Sequence, residues 1–274
     1  MCFLKRILSS LEARLSQPKL NPLRTLYVNF RTLPFRHAVK LPVFIYGKVH
    51  FFILDGEIEI RGPVRRGMIQ FGRNTESFAL NDRSGFIQLN RGCKLVFEGP
   101  ARIGVNSKVR LTRSVVTLGR NVFIGSGVRL IANGSRISIG QGSRIAFESV
   151  IMNSGFHYVY NRGKGGYGAV ARPVEIGDFN WIGNRSTVSG NARTKPFTIV
   201  CSGSLLNKDY TRQEGDGPML GGSPAKLIAA GVRRVFSPRT HAAVARWFRE
   251  HPDESFYRAD ELPDPVEDLD AEFK

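Results

Sequence analysis

The sequence predicts an all-β solenoid, a coil of short strands whose flat faces are about six residues long. Within three blocks an aliphatic residue recurs at every sixth position, which is the spacing of neither an α-helix nor an alternating strand. Glycine accounts for 29 of the 274 residues and aromatic residues for only 10%, a composition that favours short strands and tight corners over a helical bundle. The blocks are Leu118, Ile124 and Leu130, then Ile139, Ile145 and Ile151, and finally Ile176, Ile182 and Val188.

In such a coil one aliphatic side chain of each face points inward and stacks on its equivalents above and below. Glycine directly after the aliphatic residue, as in Ile124-Gly125 and Ile182-Gly183, lets the backbone bend at a corner. Each strand then pairs in parallel with the neighbouring coils, which satisfies its backbone groups. Ile124 and Ile139 are fifteen positions apart, so the early repeats slip by three residues. A sandwich of short strands would explain why short apolar segments alternate with Gly, Asn, Ser and Arg, but it would not explain the sixfold spacing.

The N-terminal region, residues 1–41, precedes the solenoid. A helix is predicted over 3–15, and it either caps the coil or lies on an anionic membrane surface with its apolar face. Prolines 22 and 34 predict that residues 20–41 form an extended arm. The apolar face of the helix consists of Phe3, Leu4, Ile7, Leu8, Leu11 and Leu15.

The solenoid is predicted to occupy residues 42–235, and residues 236–274 form a C-terminal helix with an acidic tail. Ser237 can cap the helix, Pro238 suits its first position, and the stretch up to Glu250 holds good helix formers before Pro252. From Asp253 onward there are nine acidic and two basic residues. We expect this tail to be mobile or to lie on the basic body.

The net charge of +17 is concentrated in the first 252 residues, which carry 38 basic and 14 acidic side chains. Either the protein has an anionic partner, such as a phosphorylated cofactor, a nucleic acid, a membrane surface or an acidic glycan, or it simply has a basic surface. No apolar stretch approaches the roughly 20 residues of a membrane-spanning helix. The N-terminus lacks the pattern of a signal peptide, so a cytoplasmic protein is predicted. The three scattered cysteines indicate neither disulfides nor a zinc cage.

Three ordered motifs resemble those of the hexapeptide-repeat acyltransferases, and within them the maltose, galactoside and capsular-polysaccharide O-acetyltransferases. The motifs are RPVEIGDFNWIG (172–183), IVCSGSLLNKD (199–209) and GGSPAKLI (221–228). The resemblance implies a left-handed parallel β-helix and a homotrimer with acetyl-CoA in the cleft between subunits. It further implies acetyl transfer to a sugar hydroxyl in surface-polysaccharide biosynthesis. N-acylation of an amino sugar is the near alternative.

The resemblance also implies a catalytic histidine upstream of the first motif, and His157 in MNSGFHYVYN matches it. An alcohol at its own pKa is a poor nucleophile, so transfer from a thioester needs a general base of this kind. The sixfold count from Ile139 through Ile151 also reaches residue 157, which would instead make the histidine an inward-facing structural residue. No carboxylate precedes His157 directly, and Glu148 and Glu175 are the substitutes that could orient its ring.

Further site residues follow from the resemblance and from position. The resemblance places Trp181 and Gly183 beside the pantetheine arm of CoA, Ser202-Gly203 on the next coil, and Lys208 and Lys226 near its phosphates. Corner packing for Trp181 and a solvated face for the lysines are the structural alternatives. Asn153, Tyr160 and Tyr167 are candidates for holding the acceptor, since they flank His157 or lie in the glycine-rich loop 161–171, which equally suits a plain connection.

Two other functions compete with acyl transfer. A non-catalytic module would bind anionic polymers or lipid through the basic body, although the dispersed cations with few interleaved aromatic residues count against nucleic acid. A zinc-dependent carbonic anhydrase on the same solenoid needs three histidine ligands, and the repeats contain essentially His157 alone, so no metal is expected. Cys201 fits a small-residue packing position better than the role of a nucleophile.

Overall fold

The chain winds into a parallel β-helix with three faces, and the computed structural model describes residues 17–74 and 84–259. Successive strands visit the first, second and third face in turn, so each pair of neighbours within a face comes from consecutive coils. The predicted all-β parallel β-helix is confirmed by this arrangement. The predicted helix over 3–15 and the tail from residue 260 lie outside the described residues.

The first face contains nine strands, all parallel except for the last pair. They are β1 (Val43–Ile45), β4 (Ile69–Arg73), β7 (Ala101–Gly104), β10 (Val122–Ile124), β13 (Arg144–Ile145), β18 (Trp181–Ile182), β20 (Ile199–Val200), β22 (Met219–Gly221) and β23 (Lys226–Ala229). The antiparallel strand β23 folds back on β22 and closes this end of the face.

The second and third faces contain seven and five parallel strands. The second consists of β2 (Val49–Leu54), β5 (Gly85–Leu89), β8 (Lys108–Thr112), β11 (Arg129–Asn133), β14 (Val150–Met152), β19 (Thr187–Val188) and β21 (Leu205–Leu206). The third consists of β3 (Glu57–Ile60), β6 (Lys94–Phe97), β9 (Val115–Leu118), β12 (Ile137–Ile139) and β17 (Val174–Ile176). Parallel bridges from Glu175 to Arg193 and from Arg193 to Asp209 continue the third face toward the C-terminal end of the solenoid.

The interior consists of the aliphatic residues that the sixfold spacing singled out, and they stack in register. Leu118, Ile139 and Ile176 pair across the third face. The corresponding stacks are Ile124, Ile145 and Ile182 on the first face and Leu130, Ile151 and Val188 on the second. All nine are at most 3% exposed. The three-residue slip falls between Leu130 and Ile139, where β11 is five residues long.

The glycines that follow the aliphatic residues are explained by close contact between coils rather than by an unusual backbone angle. A Cβ on Gly183 would lie 2.6 Å from both the Ser202 nitrogen and the Val200 oxygen. A Cβ on Gly177 would lie 2.6 Å from the Lys195 carbonyl carbon. These contacts are with backbone atoms, so a side chain there would push neighbouring coils apart.

The prediction of an extended arm over 20–41 is wrong, because this segment folds into the helices α1 (Pro22–Thr32) and α2 (Phe35–Ala38). Pro22 starts α1 rather than breaking it, since proline at the first helical position loses no hydrogen bond, and the Asn21 side chain accepts from the Arg24 nitrogen at 3.1 Å. The buried Asn29 side chain donates to the Val43 oxygen (2.7 Å) and accepts from its nitrogen (3.1 Å). It thereby fastens α1 to the first strand.

The predicted C-terminal helix is confirmed as α3 (Pro238–Glu250). The Ser237 hydroxyl accepts from the Thr240 nitrogen at 3.1 Å, which is the expected N-cap. Across the described residues, no helix combines the length and the apolar character needed to cross a bilayer.

Candidate functional site

A loop of about twenty residues leaves the coil between β14 and β17, at the corner where the second face meets the third. We call this corner the loop edge. An antiparallel bridge between Ser154 and Ala171 closes the base of the loop, and the Arg172 nitrogen donates to the Asn153 oxygen at 2.8 Å. Further out, β15 (Tyr160–Asn161) and β16 (Gly166–Tyr167) form a hairpin around a 3-10 turn, Arg162–Lys164.

Asn153, a predicted acceptor residue, lies inside the base of this loop. It is fully buried, and its side-chain oxygen accepts from the Asn133 nitrogen at 2.8 Å. A Cβ on Gly190 would lie 2.8 Å from the Asn153 oxygen, which shows how closely the next coil covers it. The structure therefore places Asn153 where it holds both ends of the loop, and not where it meets solvent.

His157 lies on the loop and is exposed, so the inward position that the sixfold count allowed is not adopted. The two carboxylates considered as orienting groups are engaged elsewhere. Arg185 Nε donates to Glu148 at 2.7 Å, while Glu175 accepts from Arg136 at 2.6 Å and Arg193 at 2.7 Å. The hydrogen bond from Arg136, reinforced by Arg193, lowers the pKa of Glu175. Both carboxylates are therefore engaged by arginines of the same chain, and neither is available to orient the imidazole of His157 there.

The exposed part of the loop is rich in aromatic side chains. Tyr160 and Tyr167 face each other across the hairpin with ring centroids 5.1 Å apart, and they are 52% and 72% exposed. The structure thus brings these two predicted acceptor residues together on the loop that carries His157. Phe156 and Tyr158 are also exposed here. The sequence analysis missed them, although the run FHYVY (156–160) was a signal for them.

The predicted CoA-binding residues lie at three places. Trp181 projects from the first face and is 40% exposed. Gly183 and Ser202-Gly203 lie at the corner between the first and second faces, which we call the far edge. Lys208 follows β21 on the loop edge, and Lys226 lies exposed on β23.

Gly183 has a structural role in this arrangement. Its nitrogen donates to the Val200 oxygen at 2.8 Å, and its oxygen accepts from the Ser149 hydroxyl at 3.0 Å. Both backbone groups are therefore used within the coil. Ser202 and Gly203, by contrast, form an exposed turn above it, with Gly203 in the left-handed region at φ 72°.

Two arginines before α3 were not singled out by the sequence analysis. The Arg234 guanidinium lies 5.6 Å from the Trp181 ring centroid and 5.0 Å from that of Phe236. The Arg233 guanidinium lies 4.3 Å from the Phe197 ring centroid. These distances are typical of cation–π contacts. The segment before α3 therefore adds cations to the surface beside Trp181, and the Arg-Arg pair was the available signal.

One chain does not bring the predicted base and the predicted donor residues together. His157 and Lys208 belong to the loop edge, whereas Trp181 and Ser202-Gly203 lie on or beside the far edge. The whole second face separates these two groups. Among the described residues, no three His, Cys, Asp or Glu side chains are grouped so that they could hold a metal ion.

The coil is similar to those of several solved structures. No protein-family model matches the chain, and no curated protein sequence matches it. The polySia specific acetyltransferase NeuO is 17% identical, with a TM-score of 0.44 over 75% of this chain and 99% of that one. The polysialic acid O-acetyltransferase OatWY is 16% identical, with a TM-score of 0.36 over 73% and 97%.

A third similar structure is AntD, an N-acyltransferase from Bacillus cereus in complex with dTDP and 3-hydroxybutyryl-CoA. It is 15% identical, with a TM-score of 0.36 over 77% of this chain and 89% of that one.

Proposed function

We propose that this chain is an acyltransferase that moves the acetyl group of acetyl-CoA to a sugar hydroxyl, in the cytoplasm and during surface-polysaccharide biosynthesis. The observation that carries the proposal is the solvent-exposed imidazole of His157 on a loop outside a hexapeptide coil, beside the paired rings of Tyr160 and Tyr167. An exposed imidazole can meet both substrates, which a residue stacked inside the coil could not.

The chemistry follows from the properties of the reacting groups. The neutral imidazole of His157 accepts the proton of the sugar hydroxyl while the hydroxyl oxygen attacks the thioester carbonyl carbon. A backbone N–H stabilises the oxyanion that forms. When the C–S bond breaks, the imidazolium returns its proton to the departing thiolate. Tyr160 and Tyr167 offer aromatic surface against which the apolar face of a sugar ring can pack.

For the donor, we propose that CoA lies against Trp181 and the Ser202-Gly203 turn. We expect Lys226 and Arg234 of the same copy to neutralise its phosphates, together with Lys208 from the loop edge of the neighbouring copy in the homotrimer proposed below, since arginine and lysine both bind phosphate well. Gly183 contributes indirectly, since the absence of a side chain there lets the next coil approach closely.

Because the base and most donor residues lie on different edges, we propose a homotrimer in which the loop edge of one copy faces Trp181 of the next. Mixed oligomers test this directly. H157A and W181A subunits are each expected to be inactive alone, and co-expression is expected to restore part of the activity, because some interfaces then combine an intact His157 with an intact Trp181. No recovery in verified mixed trimers would contradict a shared site.

The catalytic proposal is tested with radiolabelled acetyl-CoA, a panel of neutral, acidic and amino sugars, and the variant H157A. Loss of a general base is expected to lower kcat by about 10²–10⁴-fold. Since His157 is exposed, its removal should change the free energy of unfolding by less than about 0.5 kcal/mol. H241A removes another exposed histidine, from α3, and should retain full activity. Full activity of H157A would rule out His157 as the base.

A further inference from the structure

The second face presents a row of cations to solvent. Lys108 and Arg110 alternate with buried residues on β8 and are exposed, as is Arg129 on β11. Lys108 and Arg129 are directly opposite each other in the parallel pairing of these strands. Arg91 and Arg113 are exposed at the loop edge, just after β5 and β8. We call these five side chains the cation row.

The cation row is not neutralised within the described part of the chain. None of its members has a carboxylate within 4.0 Å there, and the strands of the second face contain no acidic residue. The third face of the solenoid shows the opposite pattern at β3 and β6. Lys94 lies 3.1 Å from Glu57, and Arg61 lies 2.9 Å from Glu59.

Within the described part of the chain, no carboxylate offsets the mutual repulsion of these cations. Neighbouring strands lie about 4.8 Å apart, so the side chains of Lys108 and Arg129 emerge side by side. Like charges directly opposite each other in a sheet repel. An anion that binds across the row removes this repulsion. The arrangement is therefore that of a binding surface for negative charge rather than of an ordinary solvated face.

We infer that the cation row binds a carboxylate-bearing polysaccharide, and that the sugar presented to His157 belongs to that chain. This inference rests on the proposed sugar acyl transfer. The row leads to the loop, because β11 pairs with β14 and the loop begins where β14 ends. At the loop edge, Arg113 lies one coil below Gly134. Gly134 in turn lies close to the base of the loop, because a Cβ added there would be 3.3 Å from the Ala171 side chain. Arginine forms bidentate hydrogen bonds with carboxylates.

Other polyanions fit the surface less well. A single-stranded nucleic acid is held by aromatic rings placed between the cations. Here the rings of Phe52 and Phe86 lie below Lys108, and the exposed rings of the loop lie beyond the row rather than between its members. An anionic membrane attracts a broad basic surface, whereas the neighbouring third face is neutralised by ion pairs. The cation row is confined to three neighbouring strands, since its members lie on or just after β5, β8 and β11, and one polymer chain can cover a strip of this width.

The test uses the full chain and measures binding of polygalacturonate by calorimetry without acetyl-CoA. The double variant K108Q/R129Q is expected to bind at least tenfold more weakly, and wild-type binding should weaken steeply with salt. R61Q/K94Q removes two exposed cations from the third face and is the matched control, expected to bind within twofold of wild type. Dextran, a neutral glycan, should not bind. Circular dichroism verifies that both variants fold.

Two results would overturn the inference. One is equal weakening by both double variants, which would make the effect one of total charge. The other is binding of a 20-nucleotide single strand or of phosphatidylserine vesicles that is at least tenfold tighter than that of polygalacturonate at equal charge concentration.

Activity assays separate this inference from the proposed function. Acetyl transfer to neutral sugars that is as fast in K108Q/R129Q as in wild type, with no preference for acidic glycans, would overturn the inference and leave the acyltransferase. Binding of acidic glycans through the row without any acetyl transfer would overturn the proposed function and leave a glycan-binding surface.

Discussion

The interior stack of the first face can be tested by replacing Ile145 with alanine. Ile145 is fully buried and in register between Ile124 and Ile182 on the neighbouring coils. The backbone on both sides is held by ladder hydrogen bonds, so the coils cannot collapse into the space that three lost carbon atoms leave. Replacing a buried isoleucine by alanine costs 2–5 kcal/mol, and poor relaxation favours the upper part of this range. We therefore expect a loss of about 4 kcal/mol.

The assay is urea unfolding followed by circular dichroism, with Val115→Ala as the matched control. Val115 lies on β9, points outward and is 39% exposed, so its truncation should cost less than about 1 kcal/mol. Equal losses for the two variants would refute the inward and outward assignment on which the solenoid depends.

Two further predictions concern corners and ion pairs. Gly183→Ala forces a Cβ to within 2.6 Å of the Val200 oxygen and should cost about 1–3 kcal/mol by urea unfolding, whereas Gly155→Ala, which has open space, should be nearly neutral. The Arg136 hydrogen bond lowers the pKa of Glu175 below its unfolded value, so the ion pair stabilises the fold above that value and is lost as the pH falls through the folded pKa. E175Q should therefore be about 1 kcal/mol less stable than wild type at pH 7, and the difference should shrink as the pH falls from 4.5, the ordinary value for this carboxyl group, through the lower folded pKa; a constant difference would contradict this cause.

The residues that line the interior could be predicted from the sequence, because their position depends on the spacing between near neighbours in the chain. Ile139, Ile145 and Ile151 are six residues apart, and each lies on a strand of a different face. The helix at Pro238–Glu250 was predictable for the same reason, since its cap and its proline are local signals. The helix beginning at Pro22 was missed because proline was interpreted as a breaker and the capping residue Asn21 was overlooked.

The site was only partly predictable, because burial at a corner depends on coils that are distant in sequence. Asn153 lies four residues before His157, yet it is buried under Gly190 whereas His157 is exposed. Glu175 could be named as an orienting carboxylate, but its engagement by Arg136 and Arg193 depends on the register of the coils.

The spacing in the sequence is enough to say which side chains enter the solenoid, because each face of about six residues places one aliphatic residue inside. The edge that each functional candidate occupies follows from the assembled coils alone. That position depends on the lengths of all the coils together, including the three-residue slip before Ile139 and the loop after β14. For the same reason, the sequence did not predict that His157 and Trp181 lie on different edges, or that Lys108 lies opposite Arg129 on the adjacent coil.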